Sequence, residues 1–277
     1  MRWLHFILSH SIFSALCAAA LCFQTLCLLS VPGAEILYLF IFFATLCSYN
    51  FYWLISKYSF GKPASAFRFI KSNLTYTLLF LVAGVGMLLC LYYLPHLYIY
   101  VALAIVSTVL YSLPLWPFSF AHYFRKAGVL KTLLLAFTWA YVTVIIPAYP
   151  VLFTETRAVM TLFVARFSFM LMLCSIFDKR DIKVDKLHAL QSLATNVSMG
   201  TLKAIMVIAF LVYIVAGFFL RYQLKDAAQS LAFLVTGLVV WWVYRLSFKE
   251  QGYIFYYFIV DGLMLFAAGA TLVASLV

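Results

Sequence analysis

The chain has 277 residues, of which 67% are hydrophobic and only 10% charged, with a net charge of +11. Soluble globular proteins are about 45–50% apolar and about 25% charged. These figures therefore exclude an ordinary soluble enzyme, a disordered chain and a nucleic-acid binder. A water-facing surface cannot accommodate so many apolar side chains. A bilayer can: nine helices of about 20 residues would use roughly 190.

In chain order, apolar runs broken by Pro, Gly and charge predict nine spans. They cover 7–30, 35–56, 73–94, 96–113, 128–146, 157–177, 200–220, 226–246 and 253–276. The first run continues to Leu29, longer than a signal-peptide core, and is expected to stay as a membrane helix. Val31-Pro32-Gly33, Pro95, and Pro147 with Pro150 punctuate the runs. Segments 62–71 and 186–199 mix apolar and polar residues, as short interfacial helices or irregular loops both do. Gly84-x-Gly86 lies mid-span, where close helix packing is the expected use. The predicted fold is all-α, one polytopic bundle over 1–277. Similar cytoplasmic helix ends suggest a pseudo-repeat of helices 2–5 (35–146) and 6–9 (157–276).

Charge sets the expected orientation. With the N-terminus in the cytoplasm, fifteen of the nineteen basic residues lie at the inner side, among them Lys57, Arg125, Lys126 and Lys131. Arg157, Arg221 and Lys225 lie outside, and Arg166 falls within the sixth span. Such asymmetry is the positive-inside pattern, and it puts the C-terminus outside. The six cysteines sit in apolar runs without metal-ligand or disulfide spacing and read as small buried hydrophobes.

The acids carry more information. Three of the eight fall within eight residues, as Asp178-x-x-Asp181-x-x-x-Asp185. On a helix continuing the sixth span they occupy an arc of roughly 60°. Such a stripe repels itself unless a cation sits among the carboxylates. Lys179, Arg180, Lys183 and Lys186 are expected to point elsewhere and leave it unneutralised. Mg²⁺ is commonly held by a few carboxylates with phosphates and water. Arg166 and Asp261, ionisable and within spans, are expected to face the bundle interior. An Arg166–Asp261 pair is one arrangement open to them.

With its stripe after the sixth of nine helices, the chain resembles the UbiA superfamily of intramembrane prenyltransferases. Asp178, Asp181 and Asp185 match that family's second acidic motif in full. Tyr111-Ser112 and Arg125-Lys126 look like counterparts of its tyrosine and basic residues after the fourth helix. The first motif, N-x-x-x-D-x-x-x-D, is matched only at Asn50, since Leu54 and Tyr58 stand at the acidic positions.

The resemblance implies transfer of a prenyl group from an isoprenoid diphosphate to an aromatic or other lipophilic acceptor. Mg²⁺ would sit on Asp178, Asp181 and Asp185. Lys57, Arg125, Lys126 and Lys131 would bind the diphosphate, and Asn50, Tyr111 and Arg166 would line the cavity. It also implies a multi-pass protein of a bacterial inner membrane. Loss of the first motif's acids motivates an alternative, a non-catalytic UbiA-like protein binding a lipid or quinone. A secondary transporter is a further alternative, motivated by the possible repeat with Arg166 and Asp261.

Overall fold

The structure, a computed structural model, describes residues 2–61, 65–112, 128–187, 193–224 and 226–276, without the side chains of residues 2, 60–61, 66–67 and 183–187. Among these residues the secondary structure is entirely helical. The helices are α1 (Arg2–Ser9), α2 (Ile12–Leu28), α3 (Glu35–Gly61), α4 (Ala66–Ser72), α5 (Leu74–Tyr92) and α6 (Tyr98–Ser112). They continue as α7 (Gly128–Ala140), α8 (Thr156–Leu187), α9 (Leu193–Asn196), α10 (Met199–Leu224), α11 (Ala227–Leu246) and α12 (Asp261–Ala274).

Eight described helices are long and apolar enough to cross a bilayer alone. The ninth predicted span is α1 with α2, which meet at a 67° bend. The bend turns at Ser11, a non-glycine residue with φ 61°. The predicted spans otherwise coincide with helices to within a few residues, except that α8 runs ten residues past its apolar part and so carries the acidic stripe as helix. Of the two candidate interfacial segments, the first contains α4, capped by Ser65 accepting from the Arg68 backbone N–H at 3.3 Å. Among the described residues of the second, the single turn α9 lies between the end of α8 and the start of α10.

α8 occupies the middle, with 67% of its apolar stretch buried, against 11% for α5 at the periphery. It packs against α7 and α10, while α2 packs against α3 and α12. Outward-facing Leu78, Leu81, Val85, Leu88 and Leu89 on α5 are all exposed. In a membrane such a face is satisfied by lipid rather than by other helices. The chain is thus an integral multi-pass membrane protein. The glycine pair on α5 supports close packing at Gly86, where a Cβ would stand 2.8 Å from the Phe43 ring.

Two short π-helical segments interrupt the α geometry: Tyr141–Ile145 after α7 and Phe255–Val260 before α12. Each is a turn with i→i+5 bonding, which re-aims the side chains that follow. The second re-aims tyrosines at the end of the bundle where the acidic stripe lies.

Candidate functional site

The end of the bundle that carries the stripe is built from the C-terminal turns of α3, α6 and α8, the N-terminal turns of α5 and α7, α1, and the π segment before α12. Asp178 faces α7 and α9. Thr132 donates to its Oδ2 at 2.5 Å, and the Leu193 backbone N–H donates to the same oxygen at 3.1 Å. This carboxylate therefore ties three helices together at the start of the stripe.

Asp181 has a different partner. Arg180 donates to it through Nε (2.6 Å) and Nη2 (2.7 Å), one bond to each carboxylate oxygen. The expectation that the neighbouring basic residues leave the stripe unneutralised fails here. Adjacent helical side chains point about 100° apart, but the arginine is long enough to fold back. Aromatic rings hold it in place: its guanidinium carbon lies 5.0 Å from the Phe177 centroid, 5.1 Å from Tyr256 and 4.9 Å from Tyr257. Lys179 does point away, donating to the Ser247 carbonyl at 2.9 Å over the Phe248 ring. Asp185 lies on the same helix, and its side chain is outside the described residues, as are Arg125 and Lys126.

Lys57 faces α5. It donates to Asn73 Oδ1 at 3.1 Å, and its Nζ stands 3.8 Å above the Tyr76 ring. Tyr76 lies within electrostatic reach of Tyr253 and Tyr257. Tyr253 stacks on Tyr257 at 4.3 Å and on His5 at 5.1 Å. Tyr253 and Tyr257 thus form a stacked aromatic wall against Arg180, with Tyr76 and Lys57 nearby. The Tyr253 phenol can donate a hydrogen bond, as phenols do near neutral pH.

Deeper in the bundle, Tyr111 stacks on Tyr52 at 5.2 Å and lies within electrostatic reach of Tyr49 and Cys174. Tyr49 meets Trp139 edge-on at 6.1 Å. Cys174 precedes Asp178 by one turn and also senses Lys131. Tyr111 and Lys131 thus both lie within electrostatic reach of Cys174 on the stripe helix. Asn50 is fully buried and donates to the Leu46 carbonyl (2.8 Å) and the His10 carbonyl (3.3 Å), so that it braces the bend between α1 and α2. Its Oδ1 is buried and without a hydrogen-bond partner among the described residues.

Arg166 sits twelve residues before Asp178 on α8, about 18 Å away along the helix axis. Its Nη2 donates to Gln24 Oε1 at 2.8 Å, with Leu21 O and Thr25 Oγ1 at 3.4 Å. Gln24 in turn donates to Thr271 Oγ1 (2.8 Å) and the Ala267 carbonyl (3.0 Å). A void of about 10 Å³ adjoins Arg166 between Leu162, Phe169, Tyr213 and Phe233, enough for a single water. Asp261 is not part of this knot: it accepts from Ser14 at 2.7 Å, and no Arg166–Asp261 bond forms.

Carboxylate oxygens are hard donors of the kind that Mg²⁺ takes. Among the described residues no three acidic, His or Cys side chains gather around one point. A third ligand from the stripe would have to be Asp185, and a metal at Asp181 would have to displace Arg180. Sequence reasoning missed Arg180 and the tyrosine wall. The available signal was the aromatic density of 253–257 opposite a stripe that contains an arginine.

The bundle thus carries acids at the end of its central helix with aromatic side chains close by. The fold is similar to that of a solved structure, a UbiA homolog from Aeropyrum pernix K1 in its apo form, with TM-score 0.59 at 12% identity over 98% of this chain and 99% of that chain. No family model and no curated protein matches the sequence.

Proposed function

We propose that the chain is a member of the UbiA superfamily and a membrane prenyltransferase. In this reading it transfers a prenyl group from an isoprenoid diphosphate to an aromatic or other lipophilic acceptor, with Mg²⁺ on Asp178, Asp181 and Asp185. The carrying observation is the combination of a UbiA-like fold over nearly the whole chain with the acidic stripe at the end of its most buried helix. The basic asymmetry supports an orientation with that end in the cytoplasm, and the apolar composition supports a plasma membrane such as a bacterial inner membrane.

Each described residue has a chemical task in this reading. Lys57, Lys131 and Arg180 lie at the stripe end and neutralise the leaving diphosphate, with Arg125 and Lys126, which precede α7 in sequence, as further cations. Mg²⁺, when bound, adds Lewis-acid stabilisation of the same oxygens. Departure of the diphosphate breaks the allylic C–O bond and leaves a cation on the prenyl chain. The ring faces of Tyr52, Tyr111 and Tyr49 stabilise that cation and keep water from it. The acceptor carbon then forms the new bond and gives up its proton to the released diphosphate.

Asp181→Asn is expected to remove the Mg²⁺-dependent gain in farnesyl diphosphate binding to the purified protein. A gain equal to the wild type would overturn this use of the stripe. The non-catalytic reading draws on Leu54 and Tyr58 in place of acids. Turnover of farnesyl diphosphate by the purified protein with any acceptor eliminates it.

A further inference from the structure

One divalent ion cannot neutralise three carboxylates together with a diphosphate. In this chain Leu54 and Tyr58 offer no acids to hold a second one. Cations lie at and near the aromatic wall instead. Arg180 presents a planar fork whose geometry fits phosphate oxygens as well as it fits a carboxylate. At rest the fork is closed on Asp181, one N–H to each oxygen. Its remaining nitrogen, Nη1, is buried and makes no hydrogen bond among the described residues. The rings of Phe177, Tyr256 and Tyr257 hold the guanidinium, their centroids 5.0, 5.1 and 4.9 Å from its carbon. That hold does not depend on Asp181, so the charge stays in place when the carboxylate leaves. Lys57, over the nearby Tyr76 ring, has the neutral Asn73 amide as its hydrogen-bond partner among the described residues.

Resting on the prenyltransferase reading, we propose that Arg180 is the resident cation of the diphosphate site, standing where a second metal would otherwise be needed, and that Asp181 is its exchangeable counter-ion. The incoming diphosphate takes the guanidinium fork, and Lys57 and the Tyr253 hydroxyl add donors. Asp181 is thereby released toward the stripe. A carboxylate and a diphosphate compete for one arginine, so the chain binds the diphosphate in part without any metal. Asp181 accordingly has two opposed effects: it supports binding through a metal and opposes it through Arg180.

Farnesyl diphosphate binding to the purified full-length protein in nanodiscs, in Mg²⁺ and in excess EDTA, tests this. The wild type is expected to retain binding in EDTA. Arg180→Gln is expected to weaken that EDTA-resistant binding about tenfold or more, since one charge-assisted bidentate contact is lost, and Arg180→Lys to recover part of it. Asp181→Asn, which frees the fork, is expected to strengthen binding in EDTA while losing the Mg²⁺-dependent gain. Equal EDTA-resistant binding by wild type and Arg180→Gln overturns the proposal, as does Asp181→Asn weakening binding in both conditions. Should Arg180→Gln not fold, the direction of the Asp181→Asn change in EDTA decides alone. Wild-type binding that vanishes in EDTA overturns the role of Arg180 and leaves the prenyltransferase reading standing. No binding in either condition overturns both.

Discussion

Two arginines on α8, about 21 Å apart along one helix, sit in opposite circumstances. Arg166 is buried in the bundle and is held by neutral oxygens of Gln24, Thr25 and Leu21. Arg180 lies near the bundle's end, half closed over by rings and paired with a carboxylate that is itself 37% exposed. The first arrangement joins helices. Through Gln24 it ties α8 to α2 and α12, and Gln229 on α11 reaches the Thr271 carbonyl from the other side. The second is local, made by adjacent residues on one helix, and can open without disturbing the packing. A buried ionisable group in a membrane helix is therefore not one kind of object. Its partners decide whether it locks a fold or meets a ligand.

The contrast sets an order of expected effects. Gln24→Leu removes the best partner of a buried cation and two further bonds, and should cost about 3 kcal/mol. Thermal unfolding in detergent reads this, while Arg180→Gln in the same assay should cost under about 1 kcal/mol because the pair is partly exposed. Comparable losses at both positions would erase the distinction between knot and mouth. Next comes Thr132→Val, which takes one donor from Asp178 and loosens the α7–α8–α9 junction by about 1–2 kcal/mol, again read by thermal unfolding. The smallest stability change belongs to Leu54→Asp with Tyr58→Asp, at half-buried and exposed positions of α3. This double change should leave the folded bundle intact and increase the Mg²⁺ dependence of farnesyl diphosphate binding. An unchanged dependence would mean that α3 does not face the bound diphosphate.

The two regions also differ in how far the sequence revealed them. Spans were legible because a bilayer demands unbroken apolar length, and α3, α5, α8 and α10 each contain such a run. The bend at His10–Ser11 was not, because apolar residues continue on both sides of it and only a left-handed Ser11 marks the turn. The π segment at Phe255–Val260 was hidden for a similar reason: one extra residue in a turn leaves hydropathy unchanged. The acidic stripe was legible from spacing alone. Its closure by Arg180 was not, since a helical wheel sends adjacent side chains apart and cannot register the ring wall that brings one back. Arg166 could be placed in the interior by rule, but its partners Gln24 and Thr25 come from a helix more than 140 residues away in sequence.

The most direct test of the account is an experimental structure of the protein with a non-reactive thiolo analogue of farnesyl diphosphate. The account predicts the diphosphate between the Asp178–Asp185 stripe and the wall of Tyr253 and Tyr257. Arg180 should be turned from Asp181 onto the phosphate oxygens, and the prenyl tail should run toward Tyr52 and Tyr111. A diphosphate bound elsewhere, or bound at the stripe with the Arg180–Asp181 pair intact, would contradict it.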